Sequence, residues 1–361
     1  IRAKSAEGTW QHNMIAGSTT DDTRWKILVG QYLSDNSSNL KAESFAAFIT
    51  DYYQQLLTDL GGSVSMESTD ILDEELEKVN WIKEWARVAM AYGKDEVNFA
   101  VAQNRFYGGE MSCAGMLYSP MFGLLADSGV EAYQLAFEHC FFDIGYARDI
   151  SSLVATMTFK AMYLPSIDSV MKESMLIDPH AYTDSRLIGR LASSMYLDAS
   201  GIVNSSIVEP NEVNIEASVL EELEVEGQEK SGNTNENIFQ TDGVPSNFPG
   251  SLQEWKRLNS IYDNLAQKNQ AIAFHAGEIW QILIAGLTYG EGDFDRTMQF
   301  IVNYGRDNDT VAAVAGMILG ANLGYENLPK NLKEEVLEVS KEIMGLDLEL
   351  LGKLVSEIER K

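Results

Sequence analysis

The chain has 361 residues, 45% hydrophobic and 22% charged, which is ample for a full core, and its seven Pro and 28 Gly are too few for a disordered or fibrous class. Its 54 acidic residues against 27 basic ones give a formal net charge of -27. That charge argues against binding a nucleic-acid backbone or an anionic membrane surface through bulk electrostatics. No apolar run reaches the ~20 residues that span a bilayer.

In chain order, the sequence starts at Ile1 rather than Met, so removal of an upstream segment, such as a signal peptide, is expected. The compartment and the oligomeric state stay open. The first informative segment is Thr20-Asp21-Asp22-Thr23, followed by apolar Trp25, Ile27, Leu28 and Val29. Ser and Thr are good N-caps and first-turn carboxylates suit the helix dipole, so taken alone the acidic pair reads as a helix start. Phe45, Phe48, Ile49, Tyr52, Tyr53, Leu56 and Leu57 form one amphipathic stripe; Ile82, Trp85, Val88, Ala89 and Tyr92 form another.

Tyr107-Gly108-Gly109-Glu110 is a candidate loop over a ligand, because Gly permits close backbone approach. Cys113 and Cys140 form no metal or disulfide pattern and read as small buried side chains. In Asp143-Ile144-Gly145-Tyr146-Ala147-Arg148-Asp149, Tyr146 could stack on a ring as a pocket wall, or the segment could be a plain turn with a surface ion pair. Residues 204–230 are strongly acidic and 231–250 polar; together they read as an insertion at about 204–250. His275, in Phe274-His275-Ala276-Gly277-Glu278, is a candidate substrate donor or acid, with a hydrogen-bonded core histidine as the alternative. His12, His139 and His180 lack metal spacing.

The second acidic helix start is Gly305-Arg306-Asp307-Asn308-Asp309-Thr310. The helix after it carries Ala312, Ala313, Ala315, Gly316, Gly320, Ala321 and Gly324, a face of small residues expected to admit another backbone closely in a central position. Val336, Leu337, Ile343, Leu350, Leu351, Leu354 and Ile358 predict two short C-terminal helices broken near Gly345. No alternating apolar and polar run is long enough for a strand. The expected fold is all-α, a bundle of roughly a dozen or more helices.

Four carboxylates would share one space if the two acidic starts met. Close like charges cannot all stay ionised without a cation. Carboxylates and Thr hydroxyls are hard donors that suit Mg²⁺, Mn²⁺ or Ca²⁺ better than Zn²⁺. Spacing alone does not make the two starts converge.

T-D-D-T from Thr20 and G-x-D-x-D-T from Gly305, the latter running into V-A-A-V-A-G-M-I-L-G-A-N-L-G and Leu328-Pro329, resemble the two ends of an ADP-ribosylglycohydrolase. Gly115 to Leu124 resembles that family's central stretch. The resemblance runs from about Thr20 to Pro329. It implies an orthogonal multi-helix bundle over 1–361 as one domain, and a hydrolase with two Mg²⁺ ions, Mn²⁺ being an alternative. Thr20, Asp21, Asp22, Asp307, Asp309 and Thr310 would be the metal ligands, and Asp21 or Asp22 the general base. In the family the ions hold the ribose hydroxyls and a water that attacks the anomeric carbon. Tyr107, Gly108, Gly109, Ser112, Tyr146 and His275 would then face a small-molecule or ADP-ribosylated substrate.

The sequence also departs from the family. The family's G-D-x-x-G helix would precede T-D-D-T; residues 1–19 precede it here, and Glu7 is a weak stand-in. Ser112-Cys113 and Leu117 replace a Gly-Asn pair and an Arg, and Arg306 replaces a Gly. These changes leave two alternatives: the same chemistry on another glycoside or nucleoside conjugate, or an inactive metal-binding homologue.

Overall fold

The computed structural model of the chain describes residues 20–36, 40–63, 69–206, 248, 250–342 and 345–358. Glu7, His12, Ile343 and nearly all of the acidic and polar stretch at 204–250 lie outside the described residues. The described residues form fifteen α-helices. They are α1 (Asp21–Asn36), α2 (Ala42–Ser63), α3 (Thr69–Tyr92), α4 (Glu96–Arg105), α5 (Ser119–Leu125), α6 (Gly129–His139), α7 (Tyr146–Ala161), α8 (Ile167–Met175), α9 (Leu191–Ser205), α10 (Leu252–Ala266), α11 (Ala276–Gly290), α12 (Phe294–Tyr304), α13 (Asn308–Leu323), α14 (Lys330–Glu342) and α15 (Leu348–Ser356). The expected all-α class is what is found; the single extended pairing among the described residues is a bridge between Ser112 and His275.

α7 and α11 are the hidden helices. In α11 almost every position from Ala276 to Gly290 is buried, which its apolar run Ile279-Trp280-Gln281-Ile282-Leu283-Ile284 requires. α7 packs on α5, α6, α8 and α13, and α11 packs on α9, α12 and α13. Two glycines, Gly123 in α5 and Gly115 in the turn before it, allow close packing on α7 and the segment leading into it. A Cβ on Gly123 would collide with the Ala155 carbonyl, and one on Gly115 would collide with Asp143, Cys140 and Ser151.

An aromatic cluster ties α1 to α2, α3 and the segment before α5. The Trp25 ring lies 4.3 Å from Trp85 and 5.3 Å from Tyr118. Phe45 lies 5.5 Å from Tyr118. Ring pairs of this kind add about 0.5–1.5 kcal/mol each beyond their burial. The start of α1 is therefore held firmly in place.

One expectation about packing needs correction. α13 does contact α1, α7, α11 and α12, as a central helix should. Its buried face, however, is Val311, Val314, Ala315, Ile318 and Leu319, so of the small residues only Ala315 is on it. A Cβ on Gly320 or Gly324 would meet nothing within 4 Å, so no backbone approaches there. Branched side chains gain more by burial than glycines do, and they took the core side. The C-terminal pair does break near Gly345, which has φ +69°. Both helices lie on the surface: Leu332 of α14 is 48% exposed and Leu350 of α15 52%. Leu351 reaches the α1 backbone at Gly30.

Candidate active site

The starts of α1 and α13 come together, although residues 23–306 separate them in sequence. Asp22 is buried at 3% exposure. Its Oδ2 accepts a hydrogen bond from Thr20 Oγ1 at 3.0 Å, and its Oδ1 is buried with no partner. Burial pushes the Asp22 carboxyl up to about 6; Lys26 opposes that shift, while Asp21 and Asp309 add to it. Asp307 is half-buried at the N-cap position of α13, but its side chain makes no capping bond. It interacts instead with the side chains of Asp309 and Thr310. Burial, then the charge of Asp309 and its hydrogen bond, then the charge of Asp22, raise the Asp307 carboxyl well above the usual range. The helix-start reading of each acidic pair, sufficient from sequence alone, does not account for these side chains.

The donors are graded in depth: Asp22 and Thr310 are buried, Thr20, Asp21 and Asp307 half-buried, and Asp309 exposed. Among the described residues, no three His, Cys, Asp or Glu side chains are grouped closely enough to hold a metal ion. The donor chemistry nonetheless fits a hard cation. A buried carboxylate oxygen without a partner, facing carboxyls that raise one another's pKa, is a local deficit of positive charge.

Part of that deficit is met from within. Lys26, one turn beyond Asp22, is buried, and its Nζ donates to the Asp22 carbonyl at 2.9 Å. Burial lowers its pKa, and the charges of Asp22 and Asp21 pull it back up. Cys113 also adjoins the cluster, with Sγ 3.9 Å from Asp307 Oδ2. Burial, then Asp307 and Asp22, raise its thiol far out of the reactive range. Lys26 did not stand out in the sequence, whereas Cys113 was read there as a small buried side chain that, with Ser112, replaces the family's Gly-Asn pair. A Lys within an apolar helical stripe, four positions after an Asp, was the available signal for Lys26.

The expected substrate residues assemble as a wall beside this cluster. Ser112 bridges His275, the Cys113 amide donates to the Phe274 carbonyl at 2.9 Å, and the Ala276 amide donates to Met111 at 2.8 Å. Through Cys113 this wall adjoins Asp307. The Tyr107 ring lies 5.3 Å from Phe274, and the Tyr146 ring 6.2 Å from His275. Tyr107 (φ +43°), Gly108 (φ +73°) and Gly109 (φ +86°) form a left-handed turn at the rim. His275 is buried, and its Nδ1 accepts from the Gly277 amide at 3.2 Å as the N-cap of α11. This is the hydrogen-bonded histidine of the alternative reading. Burial lowers its pKa, which favours a neutral ring protonated on Nε2. A separate surface cavity of about 370 Å³ between α10 and α12 is lined by Glu254, Tyr289, Asp293 and Arg296 and by none of these carboxylates.

The surface ion pair considered for residues 143–149 is not formed. Asp143 is buried and accepts from Ser151 Oγ at 2.6 Å and the Gly115 amide at 2.8 Å. Asp149 pairs with buried Arg190. Arg148 lies over the Phe137 ring and donates to the Phe137 carbonyl. His139 is structural, with Nδ1 2.7 Å from the Leu135 carbonyl.

No curated protein matches the sequence. The ADP-ribosylglycohydrolase family does match, over residues 1–360, beyond the span from Thr20 to Pro329 on which the resemblance rested. With that match across the chain and an all-α fold, this protein belongs to the ADP-ribosylglycohydrolase family.

Proposed function

We propose that this protein is a magnesium-dependent glycohydrolase that removes ADP-ribosyl groups by hydrolysing the glycosidic bond at the ribose. The observation that carries this reading is the unpartnered, buried Asp22 Oδ1 among carboxyls that raise one another's pKa. Thr20, Asp21, Asp22, Asp307, Asp309 and Thr310 would hold the cation, in a single domain spanning the chain. A bound Mg²⁺ supplies the charge that lets these carboxyls ionise and orients the hydroxyls of the sugar.

The chain's own groups then have distinct roles. Asp21 or Asp22, once ionised, takes a proton from the attacking water. A bond forms from the water oxygen to the anomeric carbon, the bond to the leaving group breaks, and the proton passes to the leaving group. Tyr107, Phe274 and Tyr146 offer ring faces to the substrate. With Nδ1 engaged by Gly277, His275 offers only an Nε2–H donor, which suits a hydroxyl or a phosphate oxygen.

Release of ADP-ribose from ADP-ribosylated protein, followed with Mg²⁺, with Mn²⁺ and after chelation, tests this reading. Turnover that needs the cation and disappears in Asp22→Asn supports it. Cleavage of other ribosides but not of ADP-ribosyl groups supports the second reading, hydrolysis of another glycoside. That alternative is motivated by Ser112 and Cys113 in the wall and by Leu117, which stands where the family pattern has an Arg. No cleavage of any glycoside in the presence of bound cation contradicts both.

A further inference from the structure

Arg306, immediately before Asp307, has φ +61°, a left-handed conformation that strains a residue bearing a side chain. Its side chain is 31% exposed and pairs with the Glu278 carboxylate. Nε donates to Glu278 Oε1 at 2.6 Å and Nη2 to Glu278 Oε2 at 2.9 Å, a bidentate fork. Nη2 also donates to the Gln270 carbonyl at 2.9 Å. Glu278 is itself buried, and its Oε2 accepts the Gln270 amide at 2.6 Å. One guanidinium and one carboxylate thus grip both sides of Gln270, in the loop 267–275 between α10 and α11. Tyr304 adds a second tie, donating to Asn269 Oδ1 at 2.6 Å. That loop ends in Phe274 and His275, which pack on Tyr107 and Ser112.

We propose that Arg306 is a positioning residue: its fork on Glu278 locks loop 267–275 to the start of α13. The aromatic wall that meets the substrate is thereby held in fixed register with Asp307. The bidentate geometry explains why an arginine is kept at a backbone position that favours glycine, because glycine would relieve the strain and release the loop. The effect on substrate rests on the glycohydrolase reading; the effect on the loop does not.

The test compares full-length wild type with Arg306→Gly, Arg306→Lys and Glu278→Gln. Amide hydrogen exchange at Gln270 and through His275 should rise about 10-fold or more in Arg306→Gly, with α7 and α11 unchanged. KM for an ADP-ribosylated substrate should rise about 10-fold, with kcat within about 3-fold of wild type. Arg306→Lys, which keeps the charge but loses the fork, should fall between. Glu278→Gln should move the same observables in the same direction, and the double variant should be no worse than Arg306→Gly alone. Unchanged exchange at Gln270, or a fall in kcat at constant KM, overturns the proposal. If wild type cleaves no ADP-ribosyl substrate, the functional reading fails while the exchange data still decide the fork.

Discussion

Asp149 and Asp22 both sit in the first turn of a helix and both are buried, at 1% and 3% exposure, yet their surroundings are opposite. Asp149 receives Arg190 Nη2 at 2.6 Å, Arg190 Nε at 2.9 Å and the Tyr133 hydroxyl at 2.6 Å. Arg190 Nη1 then closes the network on the carbonyls of Met175 and Ile177. Asp22 has one hydroxyl partner and a bare Oδ1; the nearby buried Lys26 donates to its backbone carbonyl and not to its carboxylate, and Asp21 and Asp309 add like charge. A buried carboxylate with its partners built in is part of the scaffold. One without them is destabilising as it stands and is stabilised by whatever brings positive charge.

That contrast predicts variants with effects of opposite sign. The largest is Arg190→Ala, which leaves the Asp149 charge buried and unpaired; unfolding by denaturant should show a loss of about 3–5 kcal/mol. Mg²⁺ should not recover it. Asp22→Asn should instead stabilise the cation-free protein. The Asp22 carboxyl is raised from 3.8 to about 6, so the folded protein holds this proton more tightly than the unfolded chain does. Stability from this group is full below about pH 4 and is lost as the pH rises through about 6. In chelator at pH 7, Asp22→Asn should therefore exceed wild type by roughly 2–3 kcal/mol, and the gap should close near pH 4. A gap independent of pH would break the comparison.

Two glycine variants sharpen it on packing rather than charge. Gly123→Ala drives a methyl into the Ala155 carbonyl and should cost about 1–3 kcal/mol, read from the thermal midpoint. Gly320→Ala meets no neighbour and should stabilise α13 by about 0.5–1 kcal/mol. If the two variants shift stability equally, the assignment of the buried face of α13 is wrong.

The sequence made the helices legible because their stripes are local. Phe45 and Ile49 of α2, and Ile82, Trp85 and Val88 of α3, are buried where the helical period put them. The break at Gly345 was readable for the same reason. What was not legible depends on partners far along the chain. Asp149, in the first turn of α7, finds Arg190 at the start of α9, and Arg306 finds Glu278 from the end of α12, so neither pair has a local signature. Small residues on α13 carried a helical pattern but no information about which face the branched residues would claim. The two acidic starts were visible as motifs, but their meeting depends on how α1 and α13 pack on the same core. The order of the motifs, through a family resemblance, supplied what the spacing could not.

The most direct test of the central claim is calorimetric titration of Mg²⁺ into wild type and into Asp307→Ala combined with Asp309→Ala, each with its fold checked by circular dichroism. Saturable binding in wild type that disappears in the folded double variant is the predicted result. Wild type that binds no Mg²⁺ or Mn²⁺ at millimolar concentration, or a double variant that binds as tightly as wild type, would contradict the account of this cluster as a cation site.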